Sequence, residues 1–385
     1  MDLAARTDLL TEADLRTLGS LKWTATEPGV IGAWVAEMDL PLAPAITEAL
    51  HSAVAAGLTG YLPEYLDRDV GTATASLHQR YGWQLDPADV HPVSSVVKAL
   101  ELVLGQLADP HAPVVPPIPA YMPFLTVPGL VGRELITVPM AVDTKTPDGD
   151  RYSLDLPAIA AALRPGAVFL LTNPHNPTGR VFTGDELLAL SEVIEEAAAL
   201  VFADEIHAPL IYPGGVHRPY AALSAVTAAH TVTATSASKG WNIPGLGCAQ
   251  IILSSDAARQ RWAELNPFLW YGATPLGAVA TIAAYTEGLD HLAEVVDYLR
   301  VGRDLFADAI ARTLPEARLA PLQGTYLAWL DLREIGCDPA DVAGLTGVRG
   351  VDGLLCGTPG FLRLNLGMPH HLVTEMATRL GALAR

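Results

Sequence analysis

Residues 167–205 read AVFLLTNPHNPTGRVFTGDELLALSEVIEEAAALVFADE, and this stretch decides the fold. AVFLLTN (167–173) and ALVFADE (199–205) are short apolar runs ending in polar residues, the pattern of strands buried on both faces. Between them, Thr183 and Glu186 form a capping-box signal ahead of LLALSEVIEEAAAL, whose apolar positions recur at helical spacing. Strand, helix and strand in that order predict parallel pairing, because a parallel connection needs a long crossover. Four more runs read as strands of the same kind: APVV (112–115), ELITVPM (134–140), TVTATSAS (231–238) and CAQIILS (248–254). The chain is therefore expected to be α/β, with a mostly parallel, doubly wound central sheet that gathers ligands at the carboxyl ends of its strands.

The last third changes character. A long amphipathic helix is expected from about Leu289 to Leu314, then strands at TYLAWLDL (325–332) and FLRLNLG (361–367), then a closing helix. This order predicts a smaller α+β domain completed by the N-terminal residues, with boundaries at 51–285 for the large domain and 1–50 plus 286–385 for the small one. A chain of 385 residues that is 50 % hydrophobic can bury one large core and such a lobe.

Composition narrows the partners. The balance of 24 basic against 42 acidic residues gives −18, and no basic run interrupts it, so neither nucleic acid nor an anionic membrane is expected to bind. Cys248, Cys337 and Cys356 are too scattered for a CxxC metal pattern or a disulfide framework, which points to a reducing cytoplasm. The opening MDLAARTDLLTEADLR is charged where a signal peptide needs an apolar core, and no 18-residue apolar stretch occurs. Neither export by that route nor a membrane span is expected.

Only four lysines are present, Lys22, Lys98, Lys145 and Lys239, so candidates for an amine nucleophile are few. Lys239 follows the strand TVTATSAS, with hydroxyls at Ser236 and Ser238. Desolvation there would lower its pKa and free an amine able to attack a carbonyl, although a loop lysine facing water reads the same way. Asp204 and Glu205 end the strand ALVFADE, with His207 beyond; a carboxylate so placed can keep a pyridine nitrogen protonated. Metal binding through Asp204, Glu205, His207 and His217 is the rival, without an HxxxH or HxH pairing to support it. Asn173 and Asn176 lie in a proline-rich turn, and Ser94 and Ser95 open a helix whose amides suit either a phosphate or ordinary capping.

In order, these segments resemble the fold-type I enzymes of the class I/II aminotransferase superfamily that depend on pyridoxal 5′-phosphate (PLP), and within it the cystathionine β-lyase and cysteine carbon-sulfur lyase subgroup. The likeness rests on WVAEMDLP (34–41), TGYLPEY (59–65), RYGWQLDP (80–87), PPIPAYMPF (116–124), TNPHNPTGRVFT (172–183), ADEIHAPLIY (203–212), TATSASKGWNIPGLGCAQI (233–251), GTYLAWLDL (324–332) and FLRLNLG (361–367). It implies that Lys239 carries the cofactor covalently and shuttles the α-proton, and that Asp204 partners the pyridinium. Asn176 and His207 would contact the phenolic oxygen, and Tyr121 would stack on the ring. Ser236, Ser238 and the amides of Val96 and Val97 would form the phosphate cup, and Tyr61 would reach the phosphate of a neighbouring subunit in a homodimer. Arg363 would fork onto the substrate carboxylate, beside Asn176 and Tyr121.

The activity this implies is α,β-elimination on an S-substituted cysteine such as cystathionine, giving thiol, pyruvate and ammonia. Aminotransfer, a decarboxylating or oxidative reaction of secondary metabolism, and a non-catalytic PLP-binding regulator are the alternatives. Two departures stand out. Gly247 occupies the place of an arginine that many aminotransferases use for the phosphate, and VDGLLCGTPGFLRLN is shorter than the usual loop beside the active site. Lys98 sits where relatives often carry an uncharged residue. The apolar segment around Trp270 and Tyr271 reads either as subunit interface or as core.

Overall fold

Six strands form the central sheet: Val90–Val93 (β1), Val114–Val115 (β2), Val168–Thr172 (β3), Leu200–Asp204 (β4), Thr231–Thr235 (β5) and Ala249–Leu253 (β6). They come from a computed structural model that describes residues 2–145 and 149–384. The strand order is β1-β6-β5-β4-β3-β2. Pairings among β2, β3, β4 and β5 are parallel, whereas β6 runs antiparallel to both β5 and β1. The sheet is thus mostly parallel, as its segments predict.

Side chains alternate between two cores. Val168, Leu170, Phe202, Val232 and Ala234 enter one cluster with Val96, Leu100 and Val103, while Phe169, Leu171, Val201 and Ala203 enter another with Leu187, Leu190 and Ile194. That period of two, with both faces covered, is why these strands read as continuous apolar runs. Burying each large apolar side chain contributes about 1.5–3 kcal/mol as an upper estimate. The covering helix spans Gly184–Glu196, and its N-terminus carries the capping box: Thr183 accepts from the Glu186 amide, and Glu186 accepts from the Thr183 amide.

Two strand expectations change, and the structure adds a strand that the sequence reading did not include. CAQIILS does form a strand, but an antiparallel one, because only a turn and a 3-10 helix at Pro244–Leu246 separate it from β5, which leaves no crossover. ELITVPM contributes no central strand: Val138–Pro139 pairs with Pro117–Ile118 in a separate two-stranded sheet, and the prolines that remove donors on both sides explain the shortness. β1, the four-residue VHPV, was too short and too proline-broken to read.

In the last third a 25-residue helix, Leu289–Thr313, precedes a four-stranded antiparallel sheet. Its strands are Arg318–Leu319 (β7), Leu327–Asp331 (β8), Val351–Asp352 (β9) and Phe361–Asn365 (β10), ordered β7-β8-β10-β9. Leu3, Leu15, Trp23, Ile31 and Met38 share one core with Phe306, Leu330, Leu364 and Met376, so the N-terminal segment packs on this sheet.

The turn after β3 docks on the approach to β8. Gln323 and Gly324 amides donate to the Gly179 carbonyl, and Gly179 itself has φ of +70°. A Cβ there would stand 2.1 Å from Leu322 Cδ1. Gly179→Ala is expected to lower stability by at least ~1–2 kcal/mol, from the left-handed conformation plus the clash. The midpoint of urea unfolding measures this; a parental midpoint would show that the turn does not govern the docking.

Candidate active site

β4 ends at Asp204, in register with Thr172 of β3 and Ala234 of β5, so its carboxylate sits at the carboxyl edge of the parallel strands. It is buried, and among the described residues its one hydrogen-bond donor is the Ile206 amide, to Oδ1 at 3.1 Å. Burial, with some repulsion from Glu205, raises its pKa from 3.8 to about 7. His207 is buried with Nδ1 unpartnered, and burial next to the positive Lys239 and Arg363 holds its pKa well below 6.5, so the imidazole is neutral.

After β5 the chain makes one tight turn, with the Trp241 amide on the Ala237 carbonyl and the Ile243 amide on that of Ser238. Lys239 projects from this turn, and its Nζ donates to the Ala36 carbonyl at 2.7 Å. Desolvation is the largest cause that lowers its pKa to about 8, with Arg363 adding repulsion and Asp204 opposing. Lys239 and Asp204 therefore share one electrostatic neighbourhood.

Arg363, on β10, is 2 % exposed. Its guanidinium donates to Asn176 Oδ1 at 3.1 Å and to the Trp34 carbonyl at 3.0 Å, and its Nε has no partner. Met122 Sδ stands 3.6 Å from it. Tyr121 stands at the N-terminus of the helix Met122–Leu130; burial raises its phenol pKa, with Asp204 raising and Arg363 lowering it, so its hydroxyl feels both charges. Lys239, Asp204, His207, Tyr121, Asn176 and Arg363 therefore converge.

The hydroxyls and amides form a neighbouring group. Val96 and Val97 begin the helix Val96–Leu102 with first-turn amides that have no acceptor within the helix, and Ser95 caps it through the Lys98 amide at 3.0 Å. Ser94 lies 3.5 Å from where a Cβ of Gly272 would stand, and the Ser94 carbonyl lies 3.9 Å from one on Gly247. Ser236 donates its hydroxyl to the Cys248 carbonyl at 2.8 Å and accepts the Ser238 amide at 3.1 Å, so it organises the turn from which Ser238 projects. Lys98 faces outward in a 3.4 Å pair with Glu101.

Tyr61 is the residue this chain does not bring to the cluster. It is 85 % exposed, against Tyr271 with ring centroids 5.9 Å apart, beside a groove of about 440 Å³ lined also by Leu62, Leu246 and Thr274. The segment around Trp270 divides: Trp270 stacks on Trp262 in the core, while Phe268 and Tyr271 are exposed. Glu205 and His217 pair with each other at 3.0 Å, and among the described residues no group of three or more His, Cys, Asp or Glu could hold a metal. The loop before Arg363 is a 3-10 turn at Gly353–Cys356 that returns directly into β10.

Several participants escaped the sequence reading. Tyr326 donates to the Ala36 carbonyl at 2.9 Å, and Asn242 brackets Met38, accepting its amide at 2.8 Å and donating to its carbonyl at 2.7 Å. Asn365 donates to the Val35 and Glu37 carbonyls, each at 2.6 Å. All lie in quoted motifs, but their partners are backbone atoms, which leave no residue signature.

Because the fold disfavours the charged form of Asp204, its burial costs nothing below about pH 4 and its full amount above about pH 7. Asp204→Asn, which stays neutral, is expected to stabilise the cofactor-free chain at pH 8 by up to ~4 kcal/mol, with the gain shrinking to zero as pH falls toward 4. Denaturant unfolding across that range checks it. A gain independent of pH would contradict the assigned cause.

Residues 35–380 match the family model for aminotransferase class I and II. A cystathionine β-lyase of Corynebacterium glutamicum is 35 % identical, over 83 % of each chain, and one of Bacillus subtilis is 32 % identical, over 90 % of this chain and 92 % of its own. A solved structure from Corynebacterium diphtheriae, assigned as a PLP-dependent β-cystathionase, superposes with a TM-score of 0.89 at 33 % identity, covering 97 % of this chain and 98 % of that one. The chain belongs to the aminotransferase class I and II family.

Proposed function

We propose that this enzyme is a PLP-dependent carbon-sulfur lyase that acts by α,β-elimination on an S-substituted cysteine of the cystathionine type. The observation that carries the reading is the convergence of a desolvated amine, Lys239, a buried carboxylate, Asp204, and a buried guanidinium, Arg363. Kinship with relatives named for that reaction adds to it.

The residues fit the cofactor. Among the described residues, His207 Nδ1 and Arg363 Nε are buried polar atoms without partners, and Asp204 is a buried carboxylate with a single donor. Bound PLP supplies an electron sink for the charge left on the substrate's α-carbon. Asp204 would hold a proton at the ring nitrogen and gain a cation as partner. Neutral His207 and the Asn176 side chain would serve the phenolic oxygen, Tyr121 would cover the ring, and the Val96 and Val97 amides with Ser238 would receive the phosphate, while Gly247 would add no charge.

Arg363 grips the α-carboxylate through parallel hydrogen bonds, and its existing bonds to Asn176 and Trp34 set the plane of the fork. Lys239, with a pKa of about 8, is substantially neutral under mildly alkaline conditions and takes the α-proton at Nζ. Loss of that proton and of the β-thiolate, with addition of water, yields thiol, pyruvate and ammonia.

We also assign the chain to a cytoplasmic homodimer in which Tyr61 serves the neighbouring site, supported by its exposure beside Tyr271. Among the described residues the buried Cys248 and Cys356 are free thiols, in keeping with that compartment. Among the described residues no helix is long and apolar enough to cross a membrane. The division into a cofactor-binding large domain, 51–285, and a small domain, 1–50 plus 286–385, belongs to the same reading.

Incubating the PLP-loaded enzyme with cystathionine is expected to release pyruvate with no added keto acid, and Lys239→Ala to lose at least ~10³-fold in rate. Product only when a keto acid is supplied would reassign the enzyme to aminotransfer. For the dimer, sedimentation should show a two-chain species; a fully active monomer would remove the role given to Tyr61.

A further inference from the structure

Residues 34–39 form a strip that both halves of the site hold by its backbone. Arg363 donates to the carbonyl of Trp34, Asn365 to those of Val35 and Glu37, Lys239 and Tyr326 to that of Ala36, and Asn242 to that of Met38. The amine and the guanidinium are thus referenced to carbonyls two residues apart on one strip. A displacement of that strip would move both.

Lys22 anchors the strip at three points. Its amide donates to Glu37 Oε1 at 2.7 Å, its carbonyl accepts the Trp34 indole N–H at 3.3 Å, and its ammonium meets Asp39 Oδ2 at 2.7 Å. The ammonium also donates to the Gly367 carbonyl at 3.1 Å, which accepts the Asp39 amide at 2.8 Å, and the Trp23 indole donates to Asp39 Oδ1 at 2.9 Å. Close packing leaves no slack, since a Cβ on Gly32 would fall 2.4 Å from the Lys22 carbonyl.

Lys22 is 0 % exposed, an unusual place for one of only four lysines. A buried ion pair adds little stability over apolar residues of the same volume, because desolvation cancels most of the attraction. What it does impose is register, since two buried charges must meet with their hydrogen bonds complete. Here the register is that of the strip.

We propose that Lys22, acting through Asp39, is a positioning residue that sets the strip 34–39 and thereby the relative placement of the Lys239 amine and the Arg363 guanidinium. The inference rests on the roles given to those two residues above. It makes the N-terminal segment part of the machinery for proton transfer and carboxylate binding, although neither Lys22 nor Asp39 touches substrate.

Two variants test it. Lys22→Met/Asp39→Leu replaces the pair without leaving an unpaired charge, and Trp23→Phe removes only the indole donor to Asp39. Melting temperature, KM and kcat per bound cofactor with cystathionine, and the exchange rate of the residue-39 amide in the cofactor-free chain are measured for each. The double variant is expected to melt near the parent yet to raise KM and lower kcat about tenfold or more each, with Trp23→Phe smaller in the same direction and amide exchange faster in both. Parental KM and kcat in the double variant would overturn the proposal; should that variant fail to fold, parental values in Trp23→Phe would do so. A parent that releases no pyruvate would sink the lyase reading instead, and unchanged amide exchange in the variants would then decide against the positioning role independently.

Discussion

The structure turns on keeping a lysine amine out of water. Lys239 leaves β5 in a turn that carries its Nζ onto the Ala36 carbonyl, among groups of both signs, and desolvation brings its pKa down to about 8. An ammonium in bulk water would be a poor nucleophile and a poor base; desolvation brings the neutral amine of Lys239 within reach under mildly alkaline conditions. The cost falls on the surroundings, which also bury Asp204 and Arg363 with incomplete sets of partners. Such unsatisfied groups are the expected price of a site built for a ligand that completes them.

The two lobes divide the work. The mostly parallel sheet presents Asp204 and Lys239 from adjacent strand ends, and the turn after β3 adds Asn176. The antiparallel sheet supplies Arg363 from β10, and the docking of Gly179 on residues 323–324 keeps Asn176 within 3.1 Å of it. In the proposed reaction the substrate carboxylate and the reacting amine would be addressed from the two different sheets, with the N-terminal strip bonded to residues of both. Charge is local too: in a chain of formal charge −18, the buried guanidinium of Arg363 offers the positive charge that a substrate carboxylate would need.

Much of this was legible in the sequence, for identifiable reasons. β3, the capped helix and β4 were readable because both sheet faces are buried and Thr183 and Glu186 mark the helix start. Lys239 and Asp204 stood out because each is a charged residue just after or at the end of an apolar strand, whereas Arg363 was picked out only through the family resemblance. The antiparallel turn of β6 was hidden, since strand periodicity carries no direction, and ELITVPM misled because apolar content outweighed its proline. The strip at 34–39 could be matched as a motif but not understood. Its function lies in backbone carbonyls whose donors stand about 200 to 330 positions away, and no local pattern encodes such a meeting. Trp270 and Phe268 show a further limit, because neighbouring aromatics divide between core and surface according to a stack on Trp262 that only the fold creates.

The central claim is that the amine at position 239 forms a covalent link to a cofactor whose ring nitrogen is served by the carboxylate at 204. The absorption spectrum of the purified chain with PLP added tests it most directly. A band near the visible edge, abolished by borohydride and absent in Lys239→Ala, is the predicted result. A chain saturated with PLP that shows no such band, or the same band in Lys239→Ala, would contradict it.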